Sequence, residues 1–189
     1  MTINEEYLKR CKTRSDINEH LPILREYALR SKSVAELGVR KFVSTYAFLD
    51  GCDNVIGVDI EAQEQEYEEC KYLCKREGKN FEYIIQDSLK VDIPEVDFLF
   101  IDTWHNGDQL RGELKRHHSK ARKFIGFHDT TSYAAVGETP YDKIQESGQF
   151  SGEGIWKAIE EFLEENPEWT IDLKLENNNG LTILTREEK

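Results

Sequence analysis

Long apolar runs are missing from this 189-residue sequence: no stretch approaches the roughly 18 uninterrupted apolar residues that a membrane-spanning helix requires. The opening residues, Met1-Thr2-Ile3-Asn4-Glu5-Glu6, also lack the basic-then-apolar order of a signal peptide. Both absences point to a cytoplasmic protein with no membrane partner. Cysteine is scarce, and Cys11 and Cys52 have no neighbour at metal-ligand spacing, while Cys70 and Cys74 lie four apart in a charged helical run. That pattern argues against a disulfide scaffold and leaves reduced thiols as the expectation. Dense clusters of Lys and Arg are missing too: 25 basic side chains stand against 37 acidic ones, for a net charge of −12. Such a chain repels phosphates, which excludes nucleic acid as its natural partner. There is no internal repeat and no low-complexity linker, so residues 1–189 read as one domain, long enough to bury a core unaided.

What is present is an alternation of short apolar runs with amphipathic stretches. From about Asn4 to Ser31, apolar and charged positions recur at helical spacing, which predicts two short helices broken near Arg14-Ser15-Asp16 and again near Pro22. Apolar runs ending in polar turns follow at Ser33–Gly38, Asn54–Asp59, Phe81–Asp87, Val96–Asp102 and Lys123–Asp129, each with the character of a buried parallel strand. Helical stretches at Ser44–Leu49, Glu61–Arg76 and Asp108–Lys120 separate them. A helix at Glu153–Glu164 and two strands, Thr170–Leu175 and Leu181–Thr185, close the chain, and Asn177-Asn178-Asn179-Gly180 predicts a hairpin turn between those strands. The fold class implied is α/β, doubly wound, with a mostly parallel seven-stranded sheet, an antiparallel C-terminal hairpin and helices on both faces. Within it, residues 1–32 are N-terminal helices, 33–129 a ligand-binding core, 130–151 a lid-like loop rich in Gly, Ser and Pro, and 152–189 the closing helix and hairpin.

In an open parallel sheet, ligands bind outside the carboxyl ends of the strands, where the strand order reverses. Four of the five candidate parallel strands end there in a carboxylate, Asp59, Asp87, Asp102 and Asp129, and the first carries Glu36 just before Gly38. Asp59 is placed to accept hydrogen bonds from the hydroxyls of a cofactor ribose, or alternatively to cap the helix that follows. Gly38 allows close approach of backbone to a ligand. A dinucleotide and an adenosyl cofactor both fit that much. A nicotinamide enzyme, however, wants G-x-G-x-x-G, and here Arg40 and Val43 occupy the later glycine positions.

Two further strand ends, Ile101-Asp102-Thr103-Trp104-His105 and Phe127-His128-Asp129-Thr130, bring a carboxylate and an imidazole apiece to one cleft. Asp102 and Asp129 can bind a hard divalent ion such as magnesium, and His105, as an imidazole, suits general-base work at neutral pH. The bland alternative makes Asp102 and Asp129 helix caps, and His105 and His128 filler of polar space. Trp104, Trp156 and Phe127 are candidate pocket aromatics, of which Trp104 stands between Asp102 and His105. His117 and His118 fall at the end of a charged helix, where imidazole complements free carbonyls, and they are assigned no catalytic role.

Glu36-Leu37-Gly38-Val39 through Ser44-Thr45, Gly57-Val58-Asp59, Gln86-Asp87-Ser88, Ile101–His105 and Phe127–Thr130 together resemble the S-adenosylmethionine-dependent small-molecule O-methyltransferases, in order from about Ser33 to Thr185. More narrowly, the paired strand ends resemble the metal-dependent branch that includes macrocin-type sugar O-methyltransferases and cephalosporin hydroxylase-like proteins. The resemblance implies S-adenosylmethionine as cofactor, with Glu36 and Gly38 beside its methionine part, Asp59 on the ribose, Asp87 and Ser88 near the adenine, and Asp102 bordering the cofactor. It also implies Mg2+ or another divalent metal on Asp102, His128 and Asp129, His105 as catalytic base, a small-molecule or sugar hydroxyl as acceptor, and a homo-oligomer, most simply a dimer. Two departures stand out: Arg40-Lys41-Phe42-Val43 replaces the usual second glycine, placing Phe42 near the cofactor path, and His128 stands where these relatives generally carry an acid. The first departure also admits a non-catalytic binding or scaffold protein with an eroded cofactor loop.

Overall fold

Seven strands form a single sheet in the order β3-β2-β1-β4-β5-β7-β6, described by a computed structural model for residues 1–139 and 151–187. The strands are β1 (Val34–Leu37), β2 (Asn54–Asp59), β3 (Asn80–Ile85), β4 (Val96–Ile101), β5 (Ala121–His128), β6 (Trp169–Leu175) and β7 (Leu181–Arg186). The first five pair in parallel; β7 runs antiparallel to both β5 and β6. The chain winds outward from β1 to β3, then returns to lay β4 against β1. That reversal makes the carboxyl ends of β1 and β4 the point where loops diverge and a ligand crevice opens.

The central strands need cover on both faces because they are mainly apolar and buried throughout: all six residues of β4 and all four of β1 are buried, Asp97 and Glu36 included. Period-two alternation sorts them. Phe98, Phe100 and Phe124 face a core shared with α1 (Ile3–Lys12), α2 (Leu21–Leu29), α3 (Val43–Gly51) and α4 (Glu64–Glu77). Leu99, Ile101, Ile125 and Phe127 face α5 (Gly107–His117) and α6 (Ile155–Glu165).

Pro22 does not break a helix. It occupies the first turn of α2, where its missing N–H has no intrahelical partner to lose, and the real interruption is the turn after α1. The helix expected over Asp108–Lys120 is α5 followed by a short 3-10 turn at His118–Lys120. Its start is fixed by Asn106, whose side chain accepts from the Asp108 N–H at 2.9 Å.

The hairpin between β6 and β7 is present, yet its turn does more than reverse the chain. Asn178 Oδ1 accepts from the Glu19 N–H (3.0 Å), Asn178 Nδ2 donates to the Ser15 carbonyl (3.1 Å), and the Asn179 carbonyl accepts from Thr131 and Ser132. Because Leu181 pairs with His128, this turn sits at the carboxyl end of β5 and ties the segment before α2 to the loop after β5. Part of the lid-like loop is therefore pinned: Val136 bridges Glu153, and Glu138 N–H donates to the His105 carbonyl at 2.8 Å. Residues 140–150 of that expected loop lie outside the described residues.

Candidate functional site

Gly38 leaves β1 with φ +89° and lies so close to the end of β4 that an added Cβ would stand 2.0 Å from the Asp102 carbonyl oxygen. No other side chain fits there, so the glycine expected beside a cofactor is also demanded by packing between β1 and β4. The loop it opens folds back on Asp59. Asp59 Oδ2 accepts from the N–H groups of Val39 (3.0 Å) and Arg40 (2.7 Å), and Oδ1 from that of Glu61 (2.9 Å). The carboxylate expected to hold a ribose braces its own loop.

Phe42, expected near the cofactor path, takes a left-handed backbone (φ 60°) that turns its ring inward, fully buried against Phe81 and Tyr83 at 5.8 and 5.2 Å. It is a core residue. Glu36 is fully buried as well, and its carboxylate receives the hydroxyls of Ser44 and, at 2.6 Å, Thr45. Burial outweighs those two hydrogen bonds and pushes the Glu36 carboxyl up to about 8, so it is protonated at neutral pH. Glu36 thus clamps β1 to the start of α3.

Asp87 and Ser88 are both committed within the protein. Asp87 accepts from the Leu89 N–H at 2.9 Å and pairs with Lys90 at 3.0 Å. Ser88 donates to Glu113 Oε1 (2.6 Å) and accepts from Gln109 (3.0 Å) in a buried polar knot that Thr103 joins from the end of β4. His117 supports it from the end of α5 by bonding the Ser88 carbonyl at 2.7 Å. Trp104 and Phe127 line a cavity of about 10 Å³ beside this knot, enough for one water and too small for a substrate. Trp156 lies elsewhere, under the Lys174 ammonium.

The strand ends of β4 and β5 do converge. His105 Nε2 lies 3.2 Å from Asp102 Oδ1 and 3.0 Å from Asp129 Oδ2, while its Nδ1 lies 3.0 Å from Glu138 Oε2. The ring stacks on Tyr133 at 4.9 Å, with the planes 4° apart. His128 Nδ1 lies 3.0 Å from Asp129 Oδ2 and 3.5 Å from Asp102 Oδ1. Asp129 holds this pose with φ 60°, a left-handed conformation uncommon for a side-chain-bearing residue and typical of sites where geometry outranks backbone comfort. Neither Asp102 nor Asp129 caps a helix, since Asn106 and Gly154 stand at those helix starts.

Three acids around one imidazole set the electrostatics. Burial disfavours a charged His105, but its contacts with Asp102, Asp129 and Glu138 overcome that and raise its pKa to about 12. Burial opposes the charge on His128 too, and Asp102 and Asp129 raise it to about 10. Asp102 is held well below the usual carboxylate range: burial works the other way, and the two imidazoles outweigh it. His105 is therefore protonated in this state, which is the reverse of what a base at neutral pH requires.

This cluster is built to hold positive charge. Donor atoms of Asp102, His128 and Asp129 all lie within 4.8 Å of one another, so the three residues expected to bind a divalent cation fit one, with two carboxylates and an imidazole. Glu138 was not anticipated from sequence. It stands 33 residues from His105 in a segment without periodicity, and no local pattern marks it.

Solved structures share this fold. The O-methyltransferase from Bacillus cereus in complex with SAH superposes with a TM-score of 0.61 at 15% identity, over 98% of this chain and 90% of that one. The fold is that of the S-adenosylmethionine-dependent methyltransferases. SAH-bound methyltransferase PaMTH1 from Podospora anserina gives 0.59 at 15% identity, covering 98% and 88%. The N-methyltransferase NodS from Bradyrhizobium japonicum WM9, in complex with S-adenosyl-L-homocysteine, gives 0.61 at 11% identity over the whole of both chains. Identities this low establish the methyltransferase fold and leave acceptor chemistry to the site. No protein-family model matches the sequence, and no curated protein matches it.

Proposed function

We propose that this chain is an S-adenosylmethionine-dependent methyltransferase acting on a hydroxyl of a small molecule or sugar, assisted by a divalent cation. The observation that carries the reading is the convergence of Asp102, His105, His128 and Asp129 at the carboxyl ends of β4 and β5, next to the switch point. Asp102, His128 and Asp129 would hold the cation, which supplies charge that lowers the pKa of an acceptor hydroxyl. His105 would take the hydroxyl proton. Its acids keep it protonated until part of their negative charge is neutralised, so base function and cation binding go together in this site. Glu138, on Nδ1, orients the ring, and Tyr133 supports it from one face. Methyl transfer itself then needs alignment and water exclusion more than further chemistry.

An acid-lined wall with a half-buried tyrosine disfavours anionic acceptors and suits a polyol, whose hydroxyls donate to carboxylates and whose C–H face packs on an aromatic ring. No helix among the described residues is long and apolar enough to cross a membrane, and the cytoplasmic setting remains part of this proposal.

A second reading, a methyltransferase-like scaffold that binds no cofactor, is favoured by one observation: the Asp59 carboxylate already accepts from the amides of Val39, Arg40 and Glu61. Isothermal titration with S-adenosylmethionine and S-adenosylhomocysteine, each with and without divalent cation, separates the two. Micromolar binding supports the enzyme; no heat under any condition puts the scaffold first.

A further inference from the structure

Behind the carboxylates lies a second imidazole. His20, the residue just before α2, is fully buried, and its ring centroid stands 5.3 Å from that of His128, edge to face at 72°. Among the described residues neither nitrogen of His20 has a hydrogen-bond partner, and neither does Nε2 of the nearly buried His128; Asn177 lies beside His20 without a bond of good geometry. Three orphaned nitrogens in one place call for an explanation, because buried polar groups are almost always paired. Nor is His20 there by accident of a loose segment. Its carbonyl accepts the first amides of α2, and the neighbouring Glu19 is tied through both its N–H and its carboxylate to Asn178 and Asn177 of the β6–β7 turn.

A histidine that ligates a metal through one nitrogen generally donates the proton on the other to a fixed acceptor. His128 points Nδ1 at the Asp102 and Asp129 carboxylates and leaves Nε2 toward the interior. With ring centroids 5.3 Å apart the two imidazoles are in contact, and a turn of either ring would bring a nitrogen of His20 within hydrogen-bond reach of His128 Nε2. His20 has neither ring nitrogen bonded, and a neutral imidazole has one lone pair to offer.

We propose that His20 and His128 make this a nitrogen-containing centre for a first-row transition-metal ion, with His128 Nδ1 as ligand and His20 as the positioning residue that accepts its Nε2–H. The inference rests on the cation-assisted reading above and deepens it, since imidazole donors favour ions from manganese to zinc, whereas magnesium prefers oxygen throughout.

The test uses the metal-free full-length chain titrated with Mn2+, Co2+ and Mg2+, together with pulsed electron paramagnetic resonance of the Mn2+ complex. Expected are Mn2+ and Co2+ affinities at least roughly tenfold above that for Mg2+ and a ¹⁴N coupling to bound Mn2+. His128→Asp should remove the coupling and restore Mg2+ binding. His20→Phe, which fills the same space without a nitrogen, should weaken Co2+ about 10- to 100-fold, and His20→Gln, which keeps an acceptor, should recover much of that loss. If Mg2+ binds as tightly as Co2+ without nitrogen coupling, this inference fails and the cation-assisted reading survives. If no cation binds at all, both fail. Should His20→Phe not fold, the wild-type coupling and the His20→Gln affinity still decide the matter, and a His20→Gln affinity for Co2+ about 10-fold or more below that of wild type overturns the positioning role.

Discussion

Raising the pH should cost this fold stability through Glu36. In the native state its carboxyl titrates at about 8, because burial outweighs the hydroxyls of Ser44 and Thr45; in the unfolded chain it titrates at its ordinary 4.5. Below the lower value both states hold the proton and Glu36 contributes nothing. Above it the unfolded chain releases a proton that the native state keeps, so stability falls until the native pKa is passed. The separation corresponds to about 5 kcal/mol, on the order of a third to the whole of a domain's stability. Glu36→Gln preserves shape, leaves the two hydroxyls free to rotate toward the amide, and removes the titration. Urea unfolding of both proteins at constant ionic strength, from about pH 5 to about pH 9, gives the difference directly. The comparison must be with Glu36→Gln rather than with wild type alone, because His105, raised to about 12, also loses stabilisation as pH climbs above 6.5. Wild type should fall relative to the variant by most of that 5 kcal/mol. A difference that stays flat to within about 1 kcal/mol over the same range would refute the buried, protonated Glu36.

Three other perturbations test the site's framework. Gly38→Ala drives a Cβ into the Asp102 carbonyl and demands a left-handed alanine, so it should destabilise by roughly 3 kcal/mol or more and lower the melting temperature accordingly. Asp59→Ala frees the amides of Val39, Arg40 and Glu61; their hydrogen exchange should accelerate, and an unchanged rate would mean the loop is held by something else. His105→Gln removes the cation from among Asp102, Asp129 and Glu138, so at neutral pH it should lose about 3 kcal/mol, with an added divalent ion restoring part of the melting temperature. Equal thermal shifts by that ion in variant and wild type would argue against a shared cation site.

Much of the architecture was legible because the central strands are short, mainly apolar runs and four of the five parallel ones lead into an acid. Val96–Ile101 and Asn54–Asp59 announce buried parallel strands by length and composition, and the convergence of Asp102, His105, His128 and Asp129 follows once their strands are adjacent. What stayed hidden depends on contacts across long sequence separations. Glu138 reaches His105 from a loop without pattern, and His20 enters the site from a segment whose periodicity speaks only of helices. Phe42 misleads for another reason: its spacing places it in the cofactor loop, and only its left-handed backbone, which no sequence rule reveals for phenylalanine, sends the ring into the core. Asp59 was correctly placed at the strand tip, but its bonds to the amides of Val39, Arg40 and Glu61 depend on how the loop after β1 folds back, which no spacing reveals.

The Asn177–Gly180 turn carries one more consequence, for the order in which the molecule comes into being. Asn178 donates to the Ser15 carbonyl across 163 residues of chain and receives the Glu19 amide across 159. During synthesis the segment bearing His20 emerges early and waits until the end of the hairpin is made before it can be fastened beside His128. Contacts of such long range close late because they carry the largest loop-closure entropy. The placement of His20 beside His128 is therefore expected to depend on the hairpin turn as well as on the sheet from β1 to β5.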